Sequence, residues 1–321
     1  MNQRVKIAIL DDYQNVARRF ADWSALEERV ELQVFHDPVA GPDQLAERLR
    51  PFAVVCAMRE RTLFDRALLR RLPNLRLIAS TGRSNAAIDL AAAREAGIVV
   101  CATGGSPNAA PELTWALILA AARRLPAEFD AMRAGNWQSE TIGFDLNGRT
   151  LALLGLGKIG AMLARYGQAF GMEVIAWSEN LDEARASATG ARLVGKGDLF
   201  RLGDVVSVHL RLSPRTRGLV DARALSLMKP NAILVNTSRG PIVAEDALIE
   251  ALKHRRIGAA ALDTFDIEPL PIDHPFRTLD NVVATSHIGY VTEESYRIFY
   301  GETVENIRAW MDGAPIRVIE E

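Results

Sequence analysis

The sequence predicts an α/β protein of two domains, each built on a parallel β-sheet. Short apolar segments of strand length alternate with helical segments along most of the chain, a pattern typical of a parallel sheet covered on both faces. A glycine-rich turn, Gly155-Leu156-Gly157-Lys158-Ile159-Gly160, lies between one such strand and the helix that follows it. The length of 321 residues exceeds that of most single domains, which favours two.

The first hundred residues contain five predicted strands separated by helices. Helical patterns at residues 42–50 and 88–97 fall between the apolar runs. The predicted strands are 5–10, 31–36, 52–58, 75–81 and 98–103. We therefore expect this part of the chain to form one parallel sheet.

The segment 106–125 predicts a helix that is apolar on nearly every side. Pro111 and Glu112 suit its first turn, because proline has no N–H to lose there and a carboxylate favours the positive end of the helix dipole. A helix without a polar face is normally buried, so we expect this one to pack inside the protein, between domains or between subunits.

A second alternating series begins with the strand before the glycine-rich turn. Its predicted strands are 151–155, 172–177, 205–210, 232–238, 258–265 and 281–287. Six strands with intervening helices fit a doubly wound sheet. The chain then closes with a long amphipathic helix and a short strand-like segment, and we expect no appended regulatory domain.

Composition and charge argue against several classes of function. A net charge of −2, with acidic and basic residues interspersed, does not suggest a nucleic-acid surface or a basic membrane patch. The start of the chain lacks the features of a signal peptide, and no apolar run is long enough to span a bilayer. Cys56 and Cys101 lie in or beside apolar strands without metal-ligand spacing, so we expect reduced core thiols, no metal site and a cytoplasmic protein.

The glycine-rich turn suits the binding of a dinucleotide. In such a turn one glycine permits the tight bend, one lets the backbone approach a pyrophosphate, and one allows close packing of the helix on the strand. The following helix offers N–H groups and a partial positive charge to the phosphates. A strand-to-helix turn without a ligand is the alternative, and the strand-turn-helix-strand context favours the dinucleotide.

Three polar side chains follow the later strands at the edge where ligands bind in doubly wound sheets. They are Arg239 after strand 232–238, Glu268 after strand 258–265, and His287 at the end of strand 281–287. Together they suit hydride transfer to a 2-oxo acid: the arginine fork binds a carboxylate, and the histidine exchanges a proton with the carbonyl oxygen. A neighbouring glutamate would orient the imidazole and favour its charged form. Each residue alone could be an ordinary loop or strand-end side chain.

At this point the sequence resembles the D-isomer-specific 2-hydroxyacid dehydrogenases, the group that includes phosphoglycerate dehydrogenases and hydroxypyruvate/glyoxylate reductases. The resemblance covers almost the whole chain. It is carried by GLGKIG at 155–160, VHLRLSPRTRGLV at 208–220, LMKPNAILVNTSRGPIV at 227–243, ALDTFDIEPL at 261–270, SHIG at 286–289 and the closing TVENIRAWMDG.

The resemblance implies roles for individual residues. Arg239 would bind the substrate carboxylate, Glu268 would pair with the catalytic histidine, and His287 would be the general acid/base. Contacts to the cofactor are implied for the whole glycine turn and for further positions along the sheet edge: Ser178, Glu179, His209, Thr237, Ser238, Asp263 and Gly289.

The resemblance also implies the domain order. A Rossmann domain at 104–288 would be inserted into a smaller flavodoxin-like, substrate-binding domain formed by 1–103 and 289–321, with the active site in the cleft between them. A homodimer formed through the cofactor domain is usual in the family.

The predicted substrate loop departs from the family pattern of glycine, apolar residue, glycine. Here it reads Gly82-Arg83-Ser84-Asn85, and Arg59 and Arg61 follow the third predicted strand. Backbone N–H groups of the loop could still hold a carboxylate. We expect Arg59, Gly82, Arg83 and Ser84 to contact a substrate with a second anionic or strongly polar group. The alternative is that these arginines pair with local acids such as Glu60.

The position that selects the cofactor also departs from the usual pattern. NAD sites commonly place an acid at the end of the second strand, where this chain has Ser178 followed by Glu179. Serine tolerates a 2′-phosphate, but no arginine follows directly, and Glu179 would repel the phosphate or bind the ribose itself. We expect NAD and leave NADP open.

Three functions therefore compete. The first is reduction of a 2-oxo acid to a D-2-hydroxy acid, or its reverse, with a small-molecule substrate. The second is a dinucleotide-sensing binding protein on the same fold, such as the C-terminal binding protein co-repressors; this chain carries no long basic extension typical of such a role. The third is related chemistry, such as formate or phosphite oxidation. Retention of all three polar residues favours the first.

Overall fold

The chain divides into two compact units. The computed structural model describes residues 4–39 and 41–320. The first unit comprises Met1–Ser106 and Tyr290–Glu321, and the second comprises Pro107–Gly289. Each contains one sheet in which every paired strand is parallel. The prediction of two parallel-sheet α/β units is confirmed.

The sheet of the first unit has five strands in the order β2-β1-β3-β4-β5. The strands are β1 (Val5–Ile9), β2 (Val30–Val34), β3 (Val54–Ala57), β4 (Leu77–Ser80) and β5 (Val99–Cys101), and the helices are α1 (Ser24–Glu27), α2 (Pro42–Leu49), α3 (Arg66–Leu69) and α4 (Leu90–Glu95). This is the flavodoxin-like order, in which the chain reverses direction of winding between β1 and β3.

Helices cover both faces of this sheet, and β1 shows why. Ile7 and Ile9 pack into one apolar cluster, while Ala8 and Leu10 pack into a second. Because successive side chains of a strand point to opposite faces, two clusters require apolar residues at consecutive positions. This explains why the inner strand β3, whose four residues are all buried, reads as an unbroken apolar run.

The sheet of the second unit has seven strands in the order β12-β11-β10-β9-β6-β7-β8. The strands are β6 (Thr150–Leu154), β7 (Glu173–Trp177), β8 (Arg192–Leu193), β9 (Val205–Val208), β10 (Ile233–Asn236), β11 (Ala259–Leu262) and β12 (Val282–Ala284). The helices are α5 (Ala109–Ala122), α6 (Leu125–Arg133), α7 (Lys158–Ala169), α8 (Glu183–Ser187), α9 (Lys196–Leu202), α10 (Ala222–Leu227) and α11 (Glu245–Lys253). Counted from β6, the order is that of the Rossmann fold with one further strand.

The prediction of six strands in this unit was wrong by one. The additional strand, β8, has two residues and pairs with Ile175 and Ala176 at the edge of the sheet. Two residues are too few to show an apolar alternation, so the sequence carries no periodic signal for it. The other predicted strands are confirmed, with ends that differ by up to three residues.

The predicted helix 106–125 is interrupted near its end. It begins at Ala109 and ends at Ala122, and eight of its fourteen residues are buried, as its apolar composition predicts. Arg124 then adopts a left-handed backbone conformation with φ of 52°, and a new helix, α6, starts at Leu125. The chain returns to the first unit as α12 (Glu293–Met311), and Val318 forms an isolated bridge with Cys101 in place of a terminal strand.

Candidate active site

The glycine-rich turn joins β6 to α7, and two of its glycines are required by packing. Gly155 has φ of +105°, and a Cβ there would lie 2.6 Å from the carbonyl oxygen of His209. A Cβ at Gly160 would lie 2.3 Å from the carbonyl oxygen of Gly155. The first glycine therefore makes the bend, and the third lets the helix approach the strand.

The second glycine of the turn has a different environment. A Cβ at Gly157 would meet no atom within 4 Å, so the protein itself does not require glycine there. The residue directly precedes α7, a helix of twelve residues without an acidic side chain in its first turn. Open space beside a helix N-terminus suits a pyrophosphate that approaches the backbone closely. The turn thus fits a dinucleotide.

The other residues predicted to contact the cofactor in and after the glycine turn differ in how far their side chains are exposed to solvent. The side chain of Leu156 is buried in the core, so only its backbone can face a ligand. Ile159 is partly exposed, and Lys158 is exposed at the start of α7. Directly after β7, Ser178 is half-buried and Glu179 is exposed. Both side chains are therefore accessible to a ligand at this edge of the sheet.

The predicted histidine and glutamate form a hydrogen-bonded pair. Nδ1 of His287 lies 2.6 Å from Oε2 of Glu268, and the side chains are 19% and 33% exposed. The other carboxylate oxygen, Oε1, accepts the backbone N–H of Phe265 at 3.0 Å. Because a carboxylate accepts at Nδ1, the proton of the pair lies on that nitrogen.

A buried aspartate holds the turn that carries the histidine. The carboxylate of Asp263 accepts the hydroxyl of Thr285 at 2.6 Å and the backbone N–H groups of Ile288 and Gly289, each at 2.8 Å. Burial raises the pKa of this carboxyl, and the hydrogen bonds from Thr285 and the two amides oppose that shift. His287 itself has a left-handed backbone with φ of 55°, so the turn is fixed by these contacts in a conformation rare for a non-glycine residue.

The loop that carries Arg239 packs against the loop that carries Glu268. Arg239 follows β10, and its Nη1 donates to the carbonyl of Ser238 at 2.7 Å. The next residue, Gly240, packs so closely that a Cβ would lie 2.1 Å from the carbonyl carbon of Phe265 and 2.6 Å from the nitrogen of Asp266. The arginine loop after β10 and the glutamate loop after β11 are therefore in direct backbone contact.

Further predicted cofactor residues lie on the same sheet edge. The hydroxyls of Thr237 and Thr114 lie 2.7 Å apart, and the hydroxyl of Ser238 donates to the carbonyl of Leu210 at 2.9 Å. Thr114 is not among the predicted residues, because its position on a buried apolar helix gives no sign of a polar role in the sequence. Nor does the sequence show that Asp263 fixes the histidine turn.

His209 is neutral at physiological pH. Burial lowers its pKa to about 4, and its Nε2 lies 2.8 Å from the hydroxyl oxygen of Ser207. A neutral ring can donate or accept a hydrogen bond without placing a charge beside the glycine turn, whose Gly155 packs on the His209 carbonyl.

In the first unit, two of the predicted substrate residues are in contact. The guanidinium of Arg59 lies over the α-carbon of Gly82, at the place where a Cβ would be 1.6 Å from Nη1. The backbone N–H of Arg59 donates to the hydroxyl of Thr81 at 2.9 Å, and Arg59 has φ of 53°. Arg83 and Ser84 are exposed.

Residues 4–39 and 41–320 contain no group of three or more histidine, cysteine or acidic side chains able to hold a metal ion. In the same part of the chain, no helix combines the length and apolarity needed to cross a membrane.

The Rossmann order, the glycine turn and the imidazole–carboxylate pair define a dinucleotide-dependent oxidoreductase. Residues 115–289 match the family model described as D-isomer specific 2-hydroxyacid dehydrogenase, NAD binding domain, and the chain belongs to this family. The predictions of family, Rossmann architecture, NAD as cofactor and oxidoreductase class are thereby confirmed.

Relatives with assigned names agree with this membership. The chain is 40% identical to the glyoxylate reductase of Aeropyrum pernix over 78% of its own length and 77% of the relative's. It is 37% identical to the D-3-phosphoglycerate dehydrogenase of Methanocaldococcus jannaschii over 84% of its own length, and it spans about half of that longer protein, 52%. Among solved structures, the phosphoglycerate oxidoreductase of Vibrio cholerae is similar, with a TM-score of 0.92, 40% identity, and coverage of 97% of this chain and 100% of that one.

Proposed function

We propose that this protein transfers hydride between a nicotinamide cofactor and a 2-oxo acid/D-2-hydroxy acid pair. The observation that carries the proposal is the 2.6 Å contact of His287 with Glu268, on a loop in backbone contact with Gly240, the residue after Arg239. Hydride transfer needs a proton donor and a carboxylate anchor beside the same carbonyl, and this edge of the sheet supplies both.

Each of the three side chains has one task. The guanidinium fork of Arg239 binds the substrate carboxylate in two places, which fixes the position of the adjacent carbonyl. In the direction of reduction, the imidazolium of His287 gives the proton on Nε2 to the carbonyl oxygen, and in oxidation the neutral ring takes it back. The carboxylate of Glu268 holds Nδ1 and stabilises the imidazolium.

The bound cofactor supplies the hydride. The residues that would hold it in the second unit are the glycine turn at the start of α7, Ser178 and Glu179 after β7, and the polar groups Thr237 and Asp263 along the sheet edge. NAD is the cofactor of the family domain that this unit matches. The negative charge of Glu179 opposes a 2′-phosphate, which supports a preference for NAD over NADP.

The test is a panel of 2-oxo acids with NADH and, separately, NADPH, followed by the absorbance of the reduced nicotinamide. We expect reduction with NADH, and we expect His287→Ala to lower kcat by roughly 10²-fold or more with NADH binding nearly unchanged. The exposed His254→Ala serves as the matched control. Wild-type turnover in His287→Ala would remove the assignment of the general acid/base.

We propose that the first unit supplies the substrate contacts, so that the substrate-binding and cofactor-binding roles follow the division near residues 103 and 289. Arg61 supports this proposal: its Nη1 is buried without a hydrogen-bond partner among the described residues, and its guanidinium lies 4.4 Å from the ring centre of Tyr13. Arg59 packs over Gly82 nearby along the sheet edge. A buried guanidinium N–H in need of an acceptor favours a substrate with a second anionic or strongly polar group.

Comparing kcat/KM for 2-oxo acids of different size and charge tests for the second anionic group. We expect phosphorylated or dicarboxylic 2-oxo acids to have a higher kcat/KM than glyoxylate, and Arg61→Met to remove this preference while glyoxylate reduction persists. Equal kcat/KM for glyoxylate and the larger acids would contradict the second anionic group. The alternative of local ion pairing with Asp11, whose carboxyl lies near Arg61, predicts a loss of stability in Arg61→Met without a change in preference.

We propose that the protein is a homodimer. Four large apolar side chains are exposed on α6 and the segment after it: Phe129, Met132, Trp137 and Ile142, with exposed fractions of 54%, 57%, 82% and 91%. Such a concentration of exposed apolar side chains in one segment marks an interaction surface. The mass in solution should be twice that of the chain, and Trp137→Glu should reduce it to that of a monomer; a monomeric wild type would contradict the proposal.

We also propose a cytoplasmic location. Cys56 and Cys101 are both buried and unbridged, and burial raises the pKa of each thiol, that of Cys101 to about 11. Thiols of this kind are inert core residues and suit a reducing compartment. Fractionation of cells that express the tagged protein tests the location directly.

A further inference from the structure

A chain of hydrogen bonds connects the Glu268 loop to a second histidine–carboxylate pair. Glu245 is the first residue of α11, and its Oε2 accepts the backbone N–H of Asp266 at 3.4 Å. Its Oε1 lies 3.2 Å from Nε2 of His274, and the two side chains are only 22% and 13% exposed. One carboxylate therefore joins a helix start, the loop after β11 and the segment before β12.

The other ring nitrogen of His274 fixes which nitrogen carries the proton. Nδ1 accepts the backbone N–H of Phe276 at 3.2 Å, so this nitrogen is unprotonated and Nε2 is the donor to Glu245. The ring also packs against the Phe276 ring, with centres 4.8 Å apart. His274 thus caps the short 3₁₀ helix Pro275–Arg277 with one nitrogen and binds Glu245 with the other.

The loop that Glu245 holds is the one that orients the catalytic histidine. The Asp266 amide bound by Glu245 belongs to the peptide on which Gly240 packs. The preceding N–H, that of Phe265, is donated to Oε1 of Glu268, whose Oε2 meets His287. The peptide between Phe265 and Asp266 is therefore held by the arginine loop through Gly240 and by α11 through Glu245.

We infer that Glu245 and His274 are positioning residues for proton transfer: they fix the loop of Glu268 and, through it, the imidazole of His287. This inference rests on the proposed function. Loss of the Glu245 contact releases the Asp266 amide, the loop gains freedom, and Glu268 no longer holds Nδ1 at 2.6 Å. Displacements of about 1 Å at a reacting group lower rates by up to roughly 10²-fold, so the effect belongs in kcat.

The charges around Glu245 and His274 decide which of the two residues is better to substitute. Asp266 has a carboxyl whose pKa is raised, chiefly by burial and further by Glu245 and Asp246, whereas Arg217 lowers it. Removing the charge of Glu245 therefore changes the field at the loop as well as the hydrogen bonds. Substitution of His274 alters the geometry and leaves the carboxylate in place, so it is the cleaner experiment.

Two variants of His274 separate positioning from folding. In His274→Asn the shorter amide can still cap the N–H of Phe276 but cannot reach Glu245. In His274→Gln the longer amide can again donate to Glu245. The matched control is His254→Asn, because His254 and Glu250 form a pair at the same 3.2 Å distance at the opposite end of α11, where both side chains are exposed.

We expect His274→Asn to lower kcat for reduction by roughly tenfold, with the Kd for NADH unchanged. His274→Gln should recover most of this loss, and His254→Asn should show none. A lower Tm in His274→Asn with an unchanged kcat would overturn the inference, because the pair would then be only structural.

A readout independent of turnover separates this inference from the proposed function. A short contact between Nδ1–H and a carboxylate gives a strongly downfield proton NMR signal, which His287→Ala assigns by its disappearance. We expect the signal to weaken or shift upfield in His274→Asn and to return in His274→Gln. An unchanged signal in His274→Asn would overturn the positioning role of Glu245 and His274. A changed signal in a protein that reduces none of the acids would leave that positioning role in place and remove the proposed function.

Discussion

The α-carbon of Gly240 rests on the amide nitrogen of Asp266, so closely that a Cβ would lie 2.6 Å from that nitrogen. This contact ties the residue after Arg239 to the loop that ends in Glu268. Two side chains of different charge, from the ends of two neighbouring strands, therefore share one rigid support. The geometry of the proposed catalytic site therefore depends on backbone packing at this point.

Replacing Glu268 with Gln should lower kcat for reduction by roughly tenfold or more. A neutral amide holds Nδ1 less strongly than the carboxylate does, so the ring is less firmly oriented. Steady-state kinetics at saturating NADH measures the effect. An unchanged kcat would show that Glu268 does not act on the ring.

Replacing Arg239 with Lys should raise the KM for the 2-oxo acid by roughly tenfold or more, although the positive charge is kept. A lysine ammonium cannot bind both carboxylate oxygens in the plane of the substrate. Steady-state kinetics at saturating NADH measures the effect. Arg201→Lys, at an exposed pair with Asp198, is the control and should have the wild-type KM. A wild-type KM in Arg239→Lys would assign the substrate carboxylate to another group.

Substitutions of two glycines in the turn should affect different properties, one the stability of the fold and the other the affinity for the cofactor. Gly160→Ala places a Cβ 2.3 Å from the Gly155 carbonyl oxygen and should lower the free energy of unfolding by about 1–3 kcal/mol. Gly157→Ala meets no protein atom within 4 Å, so its stability should match the wild type while its Kd for NADH rises by roughly tenfold. Chemical denaturation and fluorescence titration test the two variants. Wild-type affinity in Gly157→Ala would show that no phosphate approaches this backbone.

His209 should make the protein less stable in mild acid. Its folded-state pKa of about 4 lies below its ordinary value of 6.5, so the unfolded chain takes up the proton first as the pH falls. The free energy of unfolding should therefore decrease between pH 6.5 and 4, by at most about 1.4 kcal/mol per pH unit from this residue. His209→Gln should show a shallower decrease in urea titrations over this range. Equal slopes in both proteins would mean that the ring is solvated in the folded state.

Much of the fold could be predicted from the sequence because its signals are local. Unbroken apolar runs identify strands buried on both faces, and the strand ends place Arg239, Glu268 and His287 at the edge where ligands bind. The glycine turn can also be recognised from the sequence, because the tight bend, the approach of backbone to a pyrophosphate and the packing of helix on strand each need a glycine at a fixed spacing. These features depend on residues close together in the chain.

Only the tertiary structure decided the contacts between distant residues. Asp263 wraps the turn of His287, Gly240 meets Asp266, and Glu245 joins His274 to the same loop, although no spacing in the sequence signals any of these contacts. The left-handed break at Arg124 and the two-residue strand β8 are also outcomes of packing. Periodicity and composition determine which segments form strands and helices. The crossover connections determine which strand ends become neighbours and hence which side chains and amides meet.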